Sequence, residues 1–454
     1  MTSLVISAAP IVIALPLVAG ALTLFLRRWP WAEGGLAALA SALAAALLVV
    51  ARDAPLNLGL VVIDPSAPLF VLGRTLQLEA NTQLILAALF AGTAPVLAVA
   101  AALPRQGVFF YPLVLGVLSA FAASLMVRPL LFGALAIEAA AAFAAVLIQA
   151  DRQGARSTQG AVRYLVSATL ALPMFFLAFW LAERTPALEG DATSLSVALL
   201  LLGNGLLLGA IPLYSWLHAV AKDAPPIVVS TVAVVVLGAA QAWLLRLWDV
   251  LAWFQSAAGA RFALLLSAQV IWAGVVLIAW AQRSWARLMA CALFLEVGAA
   301  LWSAGVGRVG AEAAFSIAAR GLVFAALGAG LHLLRPQPCA EGGVCYAREP
   351  LLLALIGFMA LAGAPGTIGF AVRWLLVRAS MESGVETAGL VALAGASLVL
   401  GALRTALPML RCPAPSAPPA KEARLTRLLV GVAIVLLVGF GLLPSPLFFG
   451  SIPR

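Results

Sequence analysis

Apolar residues run along this chain in stretches of about twenty, following one another from end to end with only a few polar or basic residues between them. A helix rises about 1.5 Å per residue, so such a run matches the ~30 Å hydrocarbon core of a bilayer. Counting the runs predicts about fourteen spans. They fall near residues 3–26, 32–50, 82–102, 108–127, 129–150, 161–182, 194–217, 227–248, 262–281, 286–305, 312–334, 351–379, 387–409 and 427–443. The expectation is an all-α polytopic membrane protein forming one membrane domain over residues 1–454. The longer connections, 51–80 and the proline-rich 412–420, leave no room for a soluble domain.

Two of the runs are interrupted. The seventh meets Pro212, with Trp216 and Pro225 just beyond it, and the twelfth contains Gly363, Pro365, Gly366 and Gly369 within LAGAPGTIGF. A proline removes a backbone hydrogen bond and crowds the preceding turn, so both spans are expected to kink or unwind in mid-membrane. Unwound backbone survives there only where protein or a water-filled cavity surrounds it. Breaks five spans apart, in corresponding positions of two halves, point to inverted repeats with a transport path between them. A bundle of merely kinked helices would carry the same punctuation.

Composition narrows the class further. Hydrophobic residues make up 64% of the chain and charged residues 10%, which excludes a soluble domain of this size. The net charge of +9 comes from basic residues scattered singly in the gaps, with no stripe that would hold nucleic acid. They read as topology signals. Gaps after odd-numbered spans are the basic ones, and gaps after even-numbered spans carry most of the acids. This puts the odd gaps in the cytoplasm and both termini on the outer side of a bacterial-type inner membrane. The N-terminus has no basic n-region, so a first spanning helix is expected there rather than a signal peptide. Of the 27 basic residues only Lys222 and Lys421 are lysines, and both lie outside the apolar runs.

No catalytic triad, zinc motif, phosphate loop or iron–sulfur cysteine set is present, so neither cofactor nor metal is expected and any redox chemistry belongs to partners. Cys339 and Cys345 share one gap and are the only plausible cysteine pair; two free thiols on a cytoplasmic loop is the favoured reading.

Several stretches resemble the antiporter-like membrane subunits of respiratory complex I (NADH:quinone oxidoreductase), of Mrp-type antiporters and of membrane-bound hydrogenases. IPLYSWLHAVAKDAPPIVVS is similar to that family's seventh-to-eighth-helix pattern at Pro212, Ser215, Trp216, Leu217, Ala224, Pro225 and Ser230, with Tyr214 where histidine is usual. YPLVLGVLSAFAASLMVRPLLFGALAIEA resembles the fourth and fifth helices and sets Glu138 on the family's membrane glutamate. AVRYLVSATLA resembles the start of the sixth. WAQRSWARLMACALFLEVGA matches at Gln282, Arg287, Leu288, Ala290 and Gly298, and LAGAPGTIGFAVRWLL resembles the broken twelfth helix with Arg373 on a lysine position. The likeness extends over roughly residues 80–445 and includes GLLPSP near the end. It implies fourteen helices in which 108–248 and 262–409 form two inverted five-helix repeats, with helices 7 and 12 broken.

The resemblance also implies a row of buried titratable groups, and here the chain departs from the family. The seventh- and eighth-helix lysines fall on Leu207 and Leu237, which carry no proton. Glu138 then lacks a cationic neighbour and is left as a conditional proton site. In the second half Ser316 stands where histidine is usual, and Arg320 and Arg373 replace lysines. Arginine stays protonated, so it sets a field or holds a carboxylate without shuttling. Glu296 is the natural partner of Arg320. Carboxylates inside apolar spans argue for function, against a static ion pair that serves packing only. His332 matches a family histidine weakly, and an interfacial residue is the favoured reading.

The implied function is a degenerate, non-redox subunit of a complex I-related translocase. It would contribute to proton or sodium translocation with reduced or altered conduction, beside homologous antiporter-like subunits and within lipid. The alternatives are a structural spacer that conducts nothing, and the membrane subunit of an energy-coupled inorganic-carbon uptake complex.

Overall fold

The apolar runs form helices because a lipid-facing backbone must satisfy its own N–H and C=O groups, and a helix does so within one segment. The computed structural model of the protein describes every residue except 1–3, 53, 58, 60, 72, 105–106, 150–157, 185–190, 309, 339–343, 383, 412–419 and 443–454. The helices, in order, are α1 (Ala8–Leu26), α2 (Pro30–Val50), α3 (Ala80–Ala102), α4 (Phe110–Met126), α5 (Leu131–Gln149) and α6 (Gln159–Arg184). They continue as α7 (Asp191–Leu208), α8 (Ser215–Asp223), α9 (Pro226–Thr231), α10 (Leu237–Val250), α11 (Ala252–Ser256) and α12 (Ala258–Ala279). The last are α13 (Trp285–Gly305), α14 (Ala311–Leu333), α15 (Arg348–Ala362), α16 (Ile368–Met381), α17 (Val385–Arg411) and α18 (Ala420–Leu442). Among the described residues, ten helical segments are long and apolar enough to cross a membrane by length and composition. Shorter apolar helices, Phe110–Met126, Ser194–Leu208 and Val430–Leu442, accompany them. The protein is an all-α polytopic membrane protein.

Burial sorts the helices into an inner and an outer set. The continuous segment Pro226–Val250, in which α9 and α10 are joined by a π-helical turn at Val232–Val236, is 100% buried, and α13 and α14 follow at 89% and 78%. By contrast α1, α6 and α12 are only 28–33% buried and present leucine, valine and phenylalanine outward. Small residues let the inner helices approach closely. A Cβ on Gly321 of α14 would lie 1.9 Å from the carbonyl oxygen of Gly92 on α3, so these two backbones cross nearly in contact.

Both expected interruptions are present. α7 ends at Leu208, Gly209 takes the left-handed φ of +68°, and α8 restarts at Ser215; Ile211–Pro212 is a cis peptide. The break therefore opens at Gly209, three residues ahead of the proline. α15 ends in a left-handed Gly363 (φ +88°) and α16 restarts at Ile368.

The chain start and residues 51–80 are less plain than expected. Leu4–Ser7 is a strand paired in parallel with Val61–Asp64, so α1 begins at Ala8 and not at residue 3. Leu69–Val71, Arg74–Leu76 and Val127–Arg128 form a second small antiparallel sheet. Cys345 is disulfide-bonded, which overturns the reading of free thiols on this loop; Cys339 lies outside the described residues. A disulfide persists in an oxidising compartment, so this bond pulls against the cytoplasmic placement that the arginine pattern gives the loop.

Candidate functional site

Each half-helix break is held by a side chain that takes over a backbone partner. At the first, the amide of Ala210 donates to Gly205 O at 2.9 Å, one residue further back than a regular α-helical bond. The indole Nε1 of the wholly buried Trp216 donates to Leu206 O at 3.2 Å. Gly209 is required there, because a Cβ would sit 2.7 Å from Leu217 Cδ1 and 2.9 Å from Trp216 Nε1. Pro225 caps the N-terminus of α9.

At the second break, Arg373 on α16 folds back and donates from Nε to Leu361 O at 2.8 Å, in the last turn of α15. A guanidinium at a helix C-terminus meets both an orphan carbonyl and the negative end of the helix dipole. The two half-helices touch at Gly369, where a Cβ would lie 1.6 Å from Ala360 O. Pro365 and Gly366 (φ +82°) form the connecting turn.

Arg373 also joins the main polar feature of the interior. Its Nη2 donates to Glu296 Oε1, Glu296 Oε2 accepts from Arg320 Nε at 2.7 Å, and Arg320 Nη2 donates to Gln241 Oε1 at 2.7 Å. Gln241, Arg320, Glu296 and Arg373 come from α10, α14, α13 and α16, and are exposed by 1%, 3%, 4% and 6%. A continuous chain of hydrogen bonds thus runs from the fully buried central helix to the second broken one. Chemically it carries two permanent positive charges and one carboxylate. Breaking such a buried pair on one side costs ~3–5 kcal/mol, because it strands an uncompensated charge.

Two small cavities adjoin the chain. One, of about 20 Å³, is bordered by Glu296, Arg320, Arg373 and Ser316. The other, of about 40 Å³, is bordered by Ser316, Val372, Trp302, Arg308 and Glu312. Ser316 and Val372 border both, so the two lie side by side near the start of α14. Beside the larger one Arg308 donates to Glu312 at 2.6 Å and to Glu382 at 3.1 Å. Partial burial works against the Arg308 charge, but the hydrogen bond and charge of Glu312, aided by Glu382, outweigh it and hold its pKa above the ordinary guanidine value.

The first half is built differently. Glu138 on α5 is half-buried; its Oε1 accepts from Thr169 Oγ1 on α6 at 2.6 Å, and its Oε2 has no partner. Leu207 and Leu237 are buried aliphatic side chains, exposed by 3% and 1%. His332 is half-buried in the last turn of α14 and is not part of the arginine–glutamate chain.

Sequence reasoning missed two contributors. Gln241 extends the interior chain, and its only signal was a glutamine inside an apolar run. Glu79 binds both Arg128 and the buried Arg246, and Asn81 donates to Asp249 at 3.2 Å, so this second cluster ties the end of α10 to the starts of α3 and α5. A glutamate at a span edge is too common to stand out.

The class is thus a helical membrane protein with two interrupted helices and a buried ionic chain reaching one of them. No family model matches the sequence, and no curated protein matches it significantly. Solved structures do. A chain of respiratory complex I from Thermus thermophilus, determined with bound aureothin, superposes with a TM-score of 0.72 at 22% identity, covering 96% of this chain and 98% of that one. A chain of an archaeal membrane-bound sulfane sulfur reductase, described as a respiratory membrane complex, gives 0.74 at 15% identity over 98% of this chain and 78% of that one. A chain of the Mrp complex from Dietzia sp. gives 0.68 at 17% identity, with 91% and 80% covered. At such identities the likeness shows the fold: this chain has the fold of membrane chains in complex I, the sulfane sulfur reductase and the Mrp complex. The motif resemblance to antiporter-like subunits is supported at that level.

Proposed function

We propose that the protein is an antiporter-like, non-redox membrane subunit of a complex I-related assembly, taking part in proton or sodium translocation that is driven by electron transfer in partner subunits. The observation that carries this reading is the Gln241–Arg320–Glu296–Arg373 chain, which links the central helix to a broken helix inside a fold shared with such assemblies. Polar groups of this kind inside a membrane are costly, and they mark ion paths more often than packing. The partners would be other membrane subunits, homologous ones included. They would meet the outward apolar faces of helices such as α5, where Leu135 and Val146 are about half exposed. Both termini would face outward, and residues 108–248 and 262–409 would be the inverted repeats.

The conduction expected is reduced or altered. Arginine cannot give up its proton, so the second half supplies a fixed field and a hydrogen-bonded frame. Glu138 is the titratable group left in the first half, oriented by Thr169 and with one oxygen free. The burial of Leu207 and Leu237 favours a second reading, a spacer that joins active subunits and carries no ions. Proton pumping per electron by the reconstituted parent assembly separates the two. Glu138→Gln and Glu296→Gln should each lower the stoichiometry in assemblies that still form; unchanged pumping in both leaves the spacer.

A further inference from the structure

Away from the interior chain, a recess of about 550 Å³ lies where the α12–α13 connection, the segment before α15 and the last turns of α17 meet, and Arg283, Arg404 and Arg411 line it together with Tyr346, Thr405 and Leu407. Side-chain bonds hold its walls together. Thr405 Oγ1 donates to Gln282 O at 3.3 Å and the amide of Trp280 donates to Ser397 Oγ at 3.1 Å, so the end of α12 is tied to α17. The Arg404 guanidinium lies 5.8 Å from the centroid of the Trp280 ring, a cation–π contact that uses its face and leaves its N–H groups for another partner. Among the described residues none of the three arginines forms an ion pair. Three guanidiniums around one recess repel one another, and each is shaped to grip a phosphate with parallel N–H bonds.

The surroundings say which anion. Trp280 is half exposed just past the end of α12, the place of an interfacial anchor. On α17 Leu400, Leu403, Arg404, Leu407 and Arg411 recur at spacings of three and four and are all exposed, so one stripe of the helix carries leucine towards mid-span and arginine towards its end. Leu277 and Ile278 widen the apolar surface beside Trp280. We propose that the recess seats the phosphodiester headgroup of one anionic glycerophospholipid, gripped by Arg283, Arg404 and Arg411, with an acyl chain along the leucines of α17. Basic pockets between helix ends at a membrane surface attract such headgroups. A free phosphate would use the arginines and leave the leucine stripe idle, and a zwitterionic lipid would bring a further cation among three. The volume of about 550 Å³ also suits a headgroup better than a single ion. The proposal is independent of whether the subunit conducts ions.

The test adds phosphatidylglycerol in detergent micelles to the delipidated, purified full-length protein and reads the thermal unfolding midpoint, with bound lipid counted by native mass spectrometry. A saturable rise with one strongly held phosphatidylglycerol is expected, and none with phosphatidylcholine or with inorganic phosphate at the same ionic strength. Arg404→Gln and Arg411→Gln should each weaken half-saturation about fivefold, the scale of one basic side chain at an anionic surface. Arg261→Gln, which alters an exposed arginine at the other end of α12, should leave it unchanged. An equal response to phosphatidylcholine, the same rise with inorganic phosphate alone, wild-type half-saturation in both α17 variants, or an equal loss in Arg261→Gln overturns the proposal. No response to phosphatidylglycerol also overturns it, and leaves the recess to an acidic segment of a neighbouring subunit. Should either α17 variant fail to accumulate, Arg283→Gln in the exposed connection decides: weaker binding supports the site, unchanged binding overturns it.

Discussion

Gly369→Ala is the most telling single methyl that can be added to this protein. Gly369 lies in the first turn of α16, pressed against the end of α15, and its added Cβ would stand 1.6 Å from Ala360 O and 2.5 Å from the carbonyl carbon. Contacts between such atoms are comfortable near ~3.5–4.0 Å, so the half-helices would have to separate by roughly 2 Å. Backbone atoms lie on both sides, and no flexible side chain can yield. Arg373 stands four residues further along the same helix face, and its 2.8 Å bond to Leu361 O would stretch past hydrogen-bonding range. Overpacking costs ~1–3 kcal/mol and loss of a charge-assisted bond ~1.5–3 kcal/mol, so a destabilisation of about 3 kcal/mol or more is expected. Gly389→Ala is the control, since a Cβ there meets nothing within 4 Å and α17 is helical at that point. It should be neutral or up to ~1 kcal/mol stabilising. Thermal unfolding followed by the fluorescence of the 12 tryptophans reads both variants in one buffer. Equal midpoints for the two would refute the account of the second break, and with it the role given to Arg373.

Two other expectations concern the first break and the loop before α15. Trp216→Phe keeps most of the aromatic packing against Tyr164 but leaves Leu206 O without its indole donor, so a loss of ~1–3 kcal/mol in stability is expected; a wild-type midpoint would show that the carbonyl finds another partner. Cys345 is buried and disulfide-bonded, so in denatured protein it should react with a maleimide only after a reductant is added. Labelling of denatured protein without reductant would mean that the bond is absent.

Much of the architecture was legible because lipid enforces it. Apolar runs had to be helices, and Pro212 and the Gly363–Gly366 run had to interrupt them. Glu296 and Arg320 were readable as partners because a lone carboxylate and a lone guanidinium in neighbouring apolar spans have few other ways to offset burial. Gln241 was not, since an uncharged amide in a span raises no electrostatic question until its neighbour is known. The strands at Leu4–Ser7 and Val61–Asp64 were hidden for another reason: four residues carry too little alternation to be told from the edge of a span. The first break began at Gly209, ahead of its proline, because the left-handed turn needs a missing Cβ more than it needs a fixed φ.

A lysine could lose its charge by giving up a proton, and the guanidinium groups of Arg320 and Arg373 hold theirs. Glu296, Gln241 and the Leu361 carbonyl tie those two groups to three further helices, so α10, α13, α14, α15 and α16 share one hydrogen-bonded frame. Sliding any one of the five along its neighbours has to break a bond that holds a buried charge.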